Sequence, residues 1–314
     1  MKILLTGGCG YIGTNLTNTL LDSGHQVTVV DIMWFGNYLN SHKNLTVIQA
    51  DIRDIDKVPM NGVDNVIHLA NIANDPTGDL NSKLTWEVNA LTSKLLVEKA
   101  IENSVKQFIY ASSGSVYGVK EEPQVTEDLP LLPISDYNKS KMVSERVLLS
   151  YQDKINLQII RPATVCGYSP RMRLDLSVSL LTMQALTKGK ITVFGGQQIR
   201  PNIHMNDMIG VYLHFLALGA KAPGIYNAGF ENISILNIAK KVAEYVPAEI
   251  EITESNDPRS YRQNSDRLIG TGFRPGYGVD NGIKDVIKAY NANRLRDEDH
   301  YYNIRTMQKL ENLN

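Results

Sequence analysis

The sequence predicts an α/β protein in which helices cover both faces of a parallel sheet and a smaller, mainly helical C-terminal lobe completes a substrate cleft. Short β-branched runs alternate with helical patterns through the first half of the chain, which is typical of a doubly wound sheet. The strand candidates are nearly all apolar, as strands buried on both faces must be. A glycine-rich stretch also follows the first strand and precedes the first helix.

Six strands and three helices are expected in the first half. The strand candidates are Lys2–Leu5, Val27–Val30, Thr46–Gln49, Val66–Leu69, Phe108–Ala111 and Leu157–Ile160. The helix candidates run from about Ile12 to Asp22, from Leu84 to Glu102 and from Tyr137 to Tyr151. Asp75–Asn81 and Glu121–Pro133 carry the Pro, Gly, Asp and Asn that break such patterns, so both are expected to be loops.

Beyond about residue 165 the alternation fades and helices dominate. The clearest candidates are Met205–Leu218, Ser234–Tyr245 and Gly282–Tyr290. We therefore expect residues 1–165 to form the first domain and residues 166–314 most of the smaller lobe, with segments near 203–229 returning to the first domain. Residues 293–314 are charged and aromatic without a clear period, and a surface helix or frayed tail is expected there.

Composition and charge exclude several classes of protein. The 314 residues carry a formal net charge of -1, which gives no general attraction to nucleic acid or to an anionic membrane. The sequence shows neither a signal peptide nor a run long enough to span a membrane, so a cytoplasmic protein is expected. Cys9 and Cys166 cannot make a disulfide framework, and no Cys/His cluster has zinc spacing. Both thiols are expected to be buried, and no metal is predicted.

Glycines occupy three positions of the turn between the first strand and the first helix, at Gly7, Gly10 and Gly13. Glycine permits the tight turn and the close approach of backbone to a pyrophosphate, while the helix N-terminus offers free N–H groups to phosphate. Asp31 ends the second strand, where a carboxylate accepts both ribose hydroxyls and repels a 2′-phosphate. Together these features predict a Rossmann-type doubly wound sheet that binds NAD in preference to NADP.

Asp51 and Ile52 follow the third strand. At this position Asp51 can bond the adenine amino group and Ile52 can pack on the ring. Asp51 taken singly fits a turn equally well.

Tyr137 and Lys141 lie four residues apart in a predicted helix, and therefore on one face about one turn apart. A tyrosine with an ordinary pKa near ~10 is a poor base at neutral pH, but a neighbouring cation stabilises its phenolate. Lys141 would supply that charge. The serine-rich stretch Ala111–Gly118 ends a predicted parallel strand, at the edge where open α/β sheets bind ligands.

These motifs resemble the extended short-chain dehydrogenase/reductases, specifically the nucleotide-sugar epimerase/dehydratase branch that includes UDP-glucose 4-epimerase. The resemblance covers nearly the whole chain. Beyond the glycine turn, Asp31 and the Tyr137/Lys141 pair, the matching residues are Asp51-Ile52, His68-Leu69-Ala70, Asn89, Ser112–Gly118, Glu145, Arg161-Pro162, Arg200, His204, Asp207 and Tyr226–Gly229. So many matches in order are specific to this family.

The resemblance implies roles for the matched residues. Tyr137 is the expected base, Lys141 its electrostatic partner and a ligand of the nicotinamide ribose, and Ser113 the hydroxyl donor to the reacting sugar oxygen. Asn89 is expected to hold the sheet and cofactor region in order. The expected cofactor contacts are Gly7, Gly10, Tyr11, Ile12, Gly13, Asp31, Ile32, Asp51, Ile52, Leu69, Ala70, Asn71, Asn89, Tyr137, Lys141 and Pro162. The expected substrate contacts are Ser113, Ser115, Thr164, Ser179, Arg200 and Arg259.

Two arginines are expected to clamp the diphosphate of a sugar nucleotide. Arg200 resembles the first family clamp, and Arg259 or Arg262 supplies the second, with Arg259 slightly favoured. Bidentate guanidinium groups suit a diphosphate, which explains how a chain of balanced charge binds a dianion.

Departures from the family pattern bear on the reaction. The lysine that epimerases carry after the fourth strand is absent from Asn71–Asp75, so one cofactor contact must be replaced. Thr164 stands where the family often has Asn beside the diphosphate. Gly114-Ser115 stands where the 4,6-dehydratases carry Asp-Glu and the decarboxylases a Glu, so neither dehydration nor decarboxylation is expected. The run Thr164–Leu176 also resembles a minor branch that includes sugar-nucleotide dehydrogenases.

An NAD-dependent enzyme that oxidises a nucleotide-activated sugar is therefore expected, with C4 the favoured carbon and 4-epimerisation the favoured outcome. The alternative is a nucleotide-sugar 4-dehydrogenase or ketoreductase that releases its product. A catalytically silent nucleotide-binding relative is disfavoured by the intact Ser113, Tyr137 and Lys141. The nucleotide base and the sugar of the substrate stay open.

A homodimer is also expected, because the family usually packs the helices near Leu84–Glu102 and Tyr137–Tyr151 into a four-helix bundle.

Overall fold

The structure, a computed structural model, describes residues 1–254 and 260–311. The elements of the first part are β1 Lys2–Thr6, α1 Tyr11–Asp22, β2 Gln26–Asp31, β3 Leu45–Gln49, β4 Asn65–His68, α2 Asp75–Leu80, α3 Ser82–Trp86, α4 Thr92–Glu102, β5 Gln107–Ala111, α5 Asp136–Leu149 and β6 Asn156–Pro162. The elements of the second part are β7 Thr164–Cys166, α6 Ser177–Lys188, β8 Lys190–Phe194, β9 Ile199–His204, α7 Met205–Leu218, β10 Gly224–Ala228, β11 Glu231–Ser234, α8 Ile235–Tyr245, β12 Glu249–Thr253, α9 Asp266–Gly270, α10 Val279–Asn291 and α11 Asn303–Glu311.

Seven parallel strands form the central sheet, in the order β10-β6-β5-β4-β1-β2-β3. The chain steps outward from β1 to β3 and then, after crossing back, from β4 to β6. The direction of winding therefore reverses between β1 and β4, and a crevice opens there outside the carboxyl ends of the strands. The predicted Rossmann-type doubly wound sheet is confirmed.

The strands are apolar because both faces of the sheet are covered. Ile3 and Leu5 lie in one hydrophobic cluster, whereas Leu4 between them lies in another. All three side chains are fully buried, and burial of each such side chain contributes about 1.5–3 kcal/mol. The sheet is thus a firm platform for the turns at its carboxyl edge.

The smaller lobe contains more strand than the mainly helical prediction implied. β7, β9 and β11 form one sheet, and β8 pairs with β12 in another. These strands have only three to six residues, too few for periodicity to reveal. The helices α6, α8 and α10 contribute to a third hydrophobic cluster beside them. From the segment near 203–229, β10 joins the central sheet beside β6.

Asp75–Asn81, predicted to be a loop, forms the short helix α2. Asn74 caps it, because its side-chain oxygen accepts from the Thr77 N–H at 3.0 Å. Pro76 lies in the first turn, where the missing N–H of proline costs nothing. The breakers that suggested a loop are therefore the start signals of a helix.

The predicted helix Leu84–Glu102 begins earlier, at Ser82, and is interrupted by a π-helical turn at Glu87–Leu91. Such turns release backbone groups from the regular helical pattern. The carbonyl of Asn89 accepts from the hydroxyls of Ser93 (2.6 Å) and Ser144 (2.8 Å). The interruption therefore joins this helix to α5.

The C-terminal segment is more ordered than a frayed tail. Met307 on α11 is 4% exposed and packs in a core cluster of the central sheet, and Asn303 is buried as well. Within residues 1–254 and 260–311, no helix has the length and apolar character needed to cross a membrane.

Candidate active site

A cavity of about 350 Å³ lies at the carboxyl edge of the central sheet. Its wall contains most of the predicted cofactor contacts, namely Gly7, Gly10, Tyr11, Ile12, Gly13, Asp31, Ile32, Asp51, Ile52, Leu69, Ala70, Asn71, Tyr137 and Pro162. Ser113, Ser115 and Thr164, predicted to contact substrate, lie on the same wall. The turns that follow β1, β2, β3, β4, β5 and β6 thus meet in one cavity.

The glycine turn leaves room for a pyrophosphate that larger residues would remove. Gly7 has φ of +76°, and a Cβ there would lie 2.6 Å from the Ala70 nitrogen. A Cβ on Gly13 would lie 2.1 Å from the Gly7 carbonyl oxygen. Because α1 begins at Tyr11, its first N–H groups have no partner inside the helix and open on the cavity. The turn therefore fits the phosphates of NAD.

Asp31 has both carboxylate oxygens held in place by backbone N–H groups. Oδ2 accepts from Cys9 at 2.9 Å and Oδ1 from Met33 at 2.8 Å. Burial raises the pKa of this carboxyl, and the two backbone hydrogen bonds oppose the rise. Asp51 also lines the cavity, but its Oδ1 accepts from the Arg53 N–H at 2.8 Å, so it is a turn residue as well.

Two predicted cofactor contacts lie behind the cavity wall. Lys141 is 1% exposed, and its Nζ donates to the Ala111 carbonyl at 2.6 Å. Burial lowers the pKa of Lys141 to about 7. Asn89 accepts from the Ile72 N–H at 2.8 Å and donates to the Ser140 hydroxyl at 3.0 Å. Asn89 therefore ties the turn after β4 to α5, while Lys141 places a poorly solvated amine under the site.

Tyr137 lies in the first turn of α5 and shares the cavity wall with Ser113. Burial is the largest influence on this phenol and raises its pKa. The nearby Ser113 hydroxyl and the Arg173 charge lower the pKa, and the Asp75 charge raises it. The pKa stays above its ordinary value. A Cβ on Gly78 would lie 2.8 Å from the Tyr137 Cβ, so α2 packs closely against the residue expected to be the base.

Ser113 belongs to a chain of hydrogen bonds that ends at a carboxylate. Its hydroxyl lies 2.7 Å from that of Ser115, and Ser115 donates in turn to Asn138 Oδ1. Asn138 Nδ2 then donates to Asp75 at 2.7 Å. A carboxylate only accepts, so this chain has one direction and holds Ser113 beside Tyr137.

A buried ion pair supports the same residues from behind. Arg161 donates to Glu145 through Nε at 2.9 Å and Nη2 at 2.7 Å, and both side chains are at most 3% exposed. Ser112 donates to the same carboxylate. A bidentate guanidinium–carboxylate pair has a defined geometry, so α5 is held against the strands that lead to Ser113 and Pro162.

The cavity-lining residues that received no role from sequence reasoning include Phe35, Arg171, Arg173 and Asn303. We call them the arginine wall. The guanidinium carbon of Arg171 lies 4.0 Å from the Phe35 ring centroid, and Nη2 donates to Asn303 Oδ1 at 2.6 Å. Arg173 pairs with Asp175 at 3.0 and 2.9 Å. Two arginines shortly after β7, the strand that begins at Thr164, were the sequence signal for an anionic ligand.

Asn74 joins the turn after β4 to the arginine wall. Its backbone has φ of +74°, which is uncommon for a residue other than glycine. Its Nδ2 donates to Asp175 at 2.9 Å, and the same carboxylate holds Arg173. Strained backbone of this kind clusters at functional sites.

The remaining predicted substrate contacts lie elsewhere. Ser179 is buried and donates to the Arg173 carbonyl at 2.6 Å, so it supports the arginine wall from behind. Arg200 lies on β9 and does not line the cavity. Arg259 falls outside the described residues, and Arg262 is exposed. Among residues 1–254 and 260–311, no cluster of three or more His, Cys, Asp or Glu could hold a metal.

The doubly wound sheet, the glycine turn, Asp31 and the Ser113–Tyr137 pair over a buried Lys141 define a dinucleotide-dependent enzyme of the extended short-chain dehydrogenase/reductase class. A family model described as NAD dependent epimerase/dehydratase family matches residues 3–229. The chain belongs to that family. It is an NAD-dependent enzyme that modifies nucleotide sugars.

Relatives with different reactions resemble this chain to the same degree. A UDP-glucose 4-epimerase of Lactobacillus helveticus is 27% identical over 333 residues, which cover 95% of this chain and 100% of that protein. A dTDP-glucose 4,6-dehydratase of an Actinoplanes species is 27% identical over 321 residues, which cover 94% and 99%. The structure of a UDP-glucuronic acid 4-epimerase from Bacillus cereus, in complex with UDP-glucuronic acid and NAD, is 26% identical with a TM-score of 0.83, covering 93% and 99%.

Proposed function

We propose that this protein is a nucleotide-sugar 4-epimerase. The observation that carries the proposal is the set of carboxylates on the cavity wall. Among the described residues that line the cavity, the carboxylates are Asp31 and Asp51, and both follow strands at the adenosine end of a Rossmann site. Beside Ser113, the wall offers Tyr137 as the acid–base group. Epimerisation needs a single such group, because the proton and hydride removed in the first half are returned in the second.

Tyr137 accepts the proton of the sugar C4 hydroxyl, and Ser113 orients that oxygen through its own hydroxyl. NAD, when bound, supplies the acceptor and later the donor of the C4 hydride. Arg173 is the cation whose charge favours the phenolate from the cavity side. Lys141, held behind the wall at the Ala111 carbonyl, is expected to add to this effect when it is protonated. For the return half, Tyr137 would donate the proton back to the C4 oxygen once the keto sugar has turned within the cavity.

Dehydration needs further acid–base groups that these positions do not supply. Gly114 has no side chain, and a Cβ there would lie 3.1 Å from both the Pro162 carbonyl oxygen and the Tyr261 hydroxyl. An added carboxylate would therefore displace its neighbours. Ser115 is a poor acid and base, and its hydroxyl is bonded to Ser113 and Asn138. These contacts support epimerisation over loss of water.

The proposal is tested by mixing purified protein with a panel of UDP-, GDP-, CDP- and dTDP-sugars without added NAD. We expect one sugar nucleotide to be converted catalytically to its C4 epimer, seen by NMR, without net change in nicotinamide absorbance. Turnover only with an added electron acceptor, or stoichiometric NADH with release of a keto sugar, would replace the epimerase by the dehydrogenase or ketoreductase. A product lighter by one water would identify a dehydratase.

We further propose that the protein is a homodimer that pairs the helical segment 82–102 and α5 of two copies. Leu91, in the π-helical turn of that segment, is 54% exposed, so its side chain is available to such an interface. Light scattering at micromolar concentration is expected to give a dimer, and Leu91→Lys is expected to shift it toward monomer. A monomeric parent protein would contradict the proposal.

A further inference from the structure

The C-terminal segment leaves α10 in the smaller lobe and ends against the central sheet. The Tyr301 carbonyl accepts from the Leu174 N–H at 2.9 Å. Met307 packs in the core cluster that also contains β-strand residues of the central sheet. Between these two points, Asn303 is 3% exposed and lines the cofactor cavity. The segment is therefore part of the cavity wall rather than a tail on the surface.

Asn303 holds a buried arginine. Arg171 is 3% exposed, stacks on Phe35, and donates to the Met172 carbonyl at 3.0 Å and to Asn303 at 2.6 Å. None of the carboxylates in the described part of the chain forms an ion pair with it. Burial and the neighbouring Arg173 lower the pKa of Arg171 to about 9, although the charges of Asp175 and Asp31 oppose this. A buried cation that no carboxylate contacts directly is costly, and an anion in the cavity would offset that cost.

The position of Arg171 indicates which anion would bind beside it. Its charge acts on Asp31, which ends β2, and its ring partner Phe35 lies in the turn that follows. The glycine turn lines the same cavity. In a Rossmann site, the dianion next to this carboxylate and this turn is the pyrophosphate of the dinucleotide. The residues Asn71–Asp75 supply no lysine for it.

We propose that Arg171 binds the pyrophosphate of NAD and that Asn303 holds the guanidinium in place, so that the C-terminal segment is a strap that retains the cofactor. Phe35 stacks on one face of the guanidinium, and Asn303 accepts at its edge. Release of the dinucleotide then requires the strap or the Arg171 side chain to move. The inference concerns NAD binding and holds for whichever sugar reaction the enzyme catalyses.

The test is the rate at which NAD leaves the loaded protein, measured by chase of labelled NAD with an excess of unlabelled NAD. Asn303→Ala removes the acceptor, and release is expected to be ~10-fold faster, the scale of one hydrogen bond to a charged group. Arg171→Ala is expected to release ~30–100-fold faster, since the charge itself is lost. Gln308→Ala is the control, because it removes an exposed side-chain amide on the same helix. This variant is expected to release NAD at the parent rate.

Asn303→Gln separates the specific contact from a general loss of packing. The glutamine keeps a neutral amide acceptor for Arg171, so release closer to the parent rate than that of Asn303→Ala is expected. Equal acceleration in Asn303→Ala and Asn303→Gln would assign the effect to the fold of the segment and overturn the proposal. Unchanged release in Asn303→Ala or in Arg171→Ala would overturn it as well. The measurement involves no sugar, so its failure leaves the epimerase proposal standing.

Discussion

The two walls of the cavity differ in how the chain builds them. The sheet wall, formed by Gly7–Gly13, Asp31, Ser113 and Tyr137, consists of residues that follow a strand or begin a helix. In the arginine wall, the Arg171–Asn303 contact joins residues 132 positions apart. The sheet wall is therefore set by local sequence, whereas the arginine wall exists only once the lobes and the C-terminal segment have packed.

Each wall contains local hydrogen bonds, but the span of the longest contact differs. In the sheet wall, Asp31 accepts from Met33 two positions away and from Cys9 22 positions away, and Ser113 contacts Ser115. In the arginine wall, Arg173 pairs with Asp175 two positions away, whereas Arg171 depends on Asn303 and on the ring of Phe35, which belong to distant segments. Changes in the sheet wall should consequently alter chemistry and cofactor choice, and changes in the arginine wall should alter retention of ligands.

The largest expected effect is on the base in the sheet wall. Tyr137→Phe removes one hydroxyl from a large nucleotide interface, so turnover is expected to fall by ~10²–10⁴ while NAD binding changes little. Tyr11→Phe is the matched control, because Tyr11 also lines the cavity but its phenol donates to the Gly167 carbonyl at 2.7 Å. Parent-like turnover in Tyr137→Phe would refute the assignment of the base.

Replacing Lys141 tests the sheet wall through the stability of the folded protein. Since burial lowers its pKa to about 7, the folded chain binds this proton less readily than the unfolded chain, and the parent protein loses stability as pH falls from about 10 to 7. Lys141→Met is expected to abolish turnover yet raise the free energy of unfolding of the cofactor-free protein by about 2–4 kcal/mol near pH ~6. Thermal and urea unfolding measure the difference, and the gain in stability of Lys141→Met over the parent protein should be smaller near pH ~9. A gain in stability that grows with pH would contradict this account.

Replacing Asp31 tests whether its carboxylate makes the protein prefer NAD over NADP. Asp31→Ala removes the acceptor of the ribose hydroxyls and the repulsion of a 2′-phosphate, so NAD affinity is expected to fall ~10–100-fold and the preference over NADP to narrow. Asp51→Ala is the comparison, because Asp51 is held in a turn by Arg53. Isothermal titration with both cofactors measures the change. Unaltered discrimination in Asp31→Ala would place the ribose carboxylate elsewhere.

The smallest expected effect comes from the end of the hydrogen-bond chain. Asp75 raises the pKa of Tyr137 through its charge, so Asp75→Asn is expected to move the acid limb of the turnover profile to lower pH by roughly half a unit to one unit. The asparagine oxygen can still accept from Asn138. Asp79→Asn, an exposed change on the same helix, should leave the profile in place. A shift to higher pH would show that the chain acts on Tyr137 by contacts rather than by charge.

Local patterns in the sequence predicted the central sheet, the glycine turn, Asp31 and the Tyr137–Lys141 spacing. These features depend on neighbours in the chain, since a strand end, a positive φ at Gly7 and a helical face are each specified within a few residues. The family of the enzyme followed from the same residues. The expected contacts of Ser179 and Arg200 had only a resemblance behind them, and the cavity does not include either residue.

Tertiary structure alone decided the rest. Lys141 lies behind the wall because α5 packs over β5 and its amine reaches the Ala111 carbonyl. The helix Asp75–Leu80 packs against α5 because Gly78 fits against Tyr137. Arg171 and Asn303 meet because the C-terminal segment packs on the core of the central sheet. A contact between distant segments depends on the free energy of packing whole elements, which no local pattern contains.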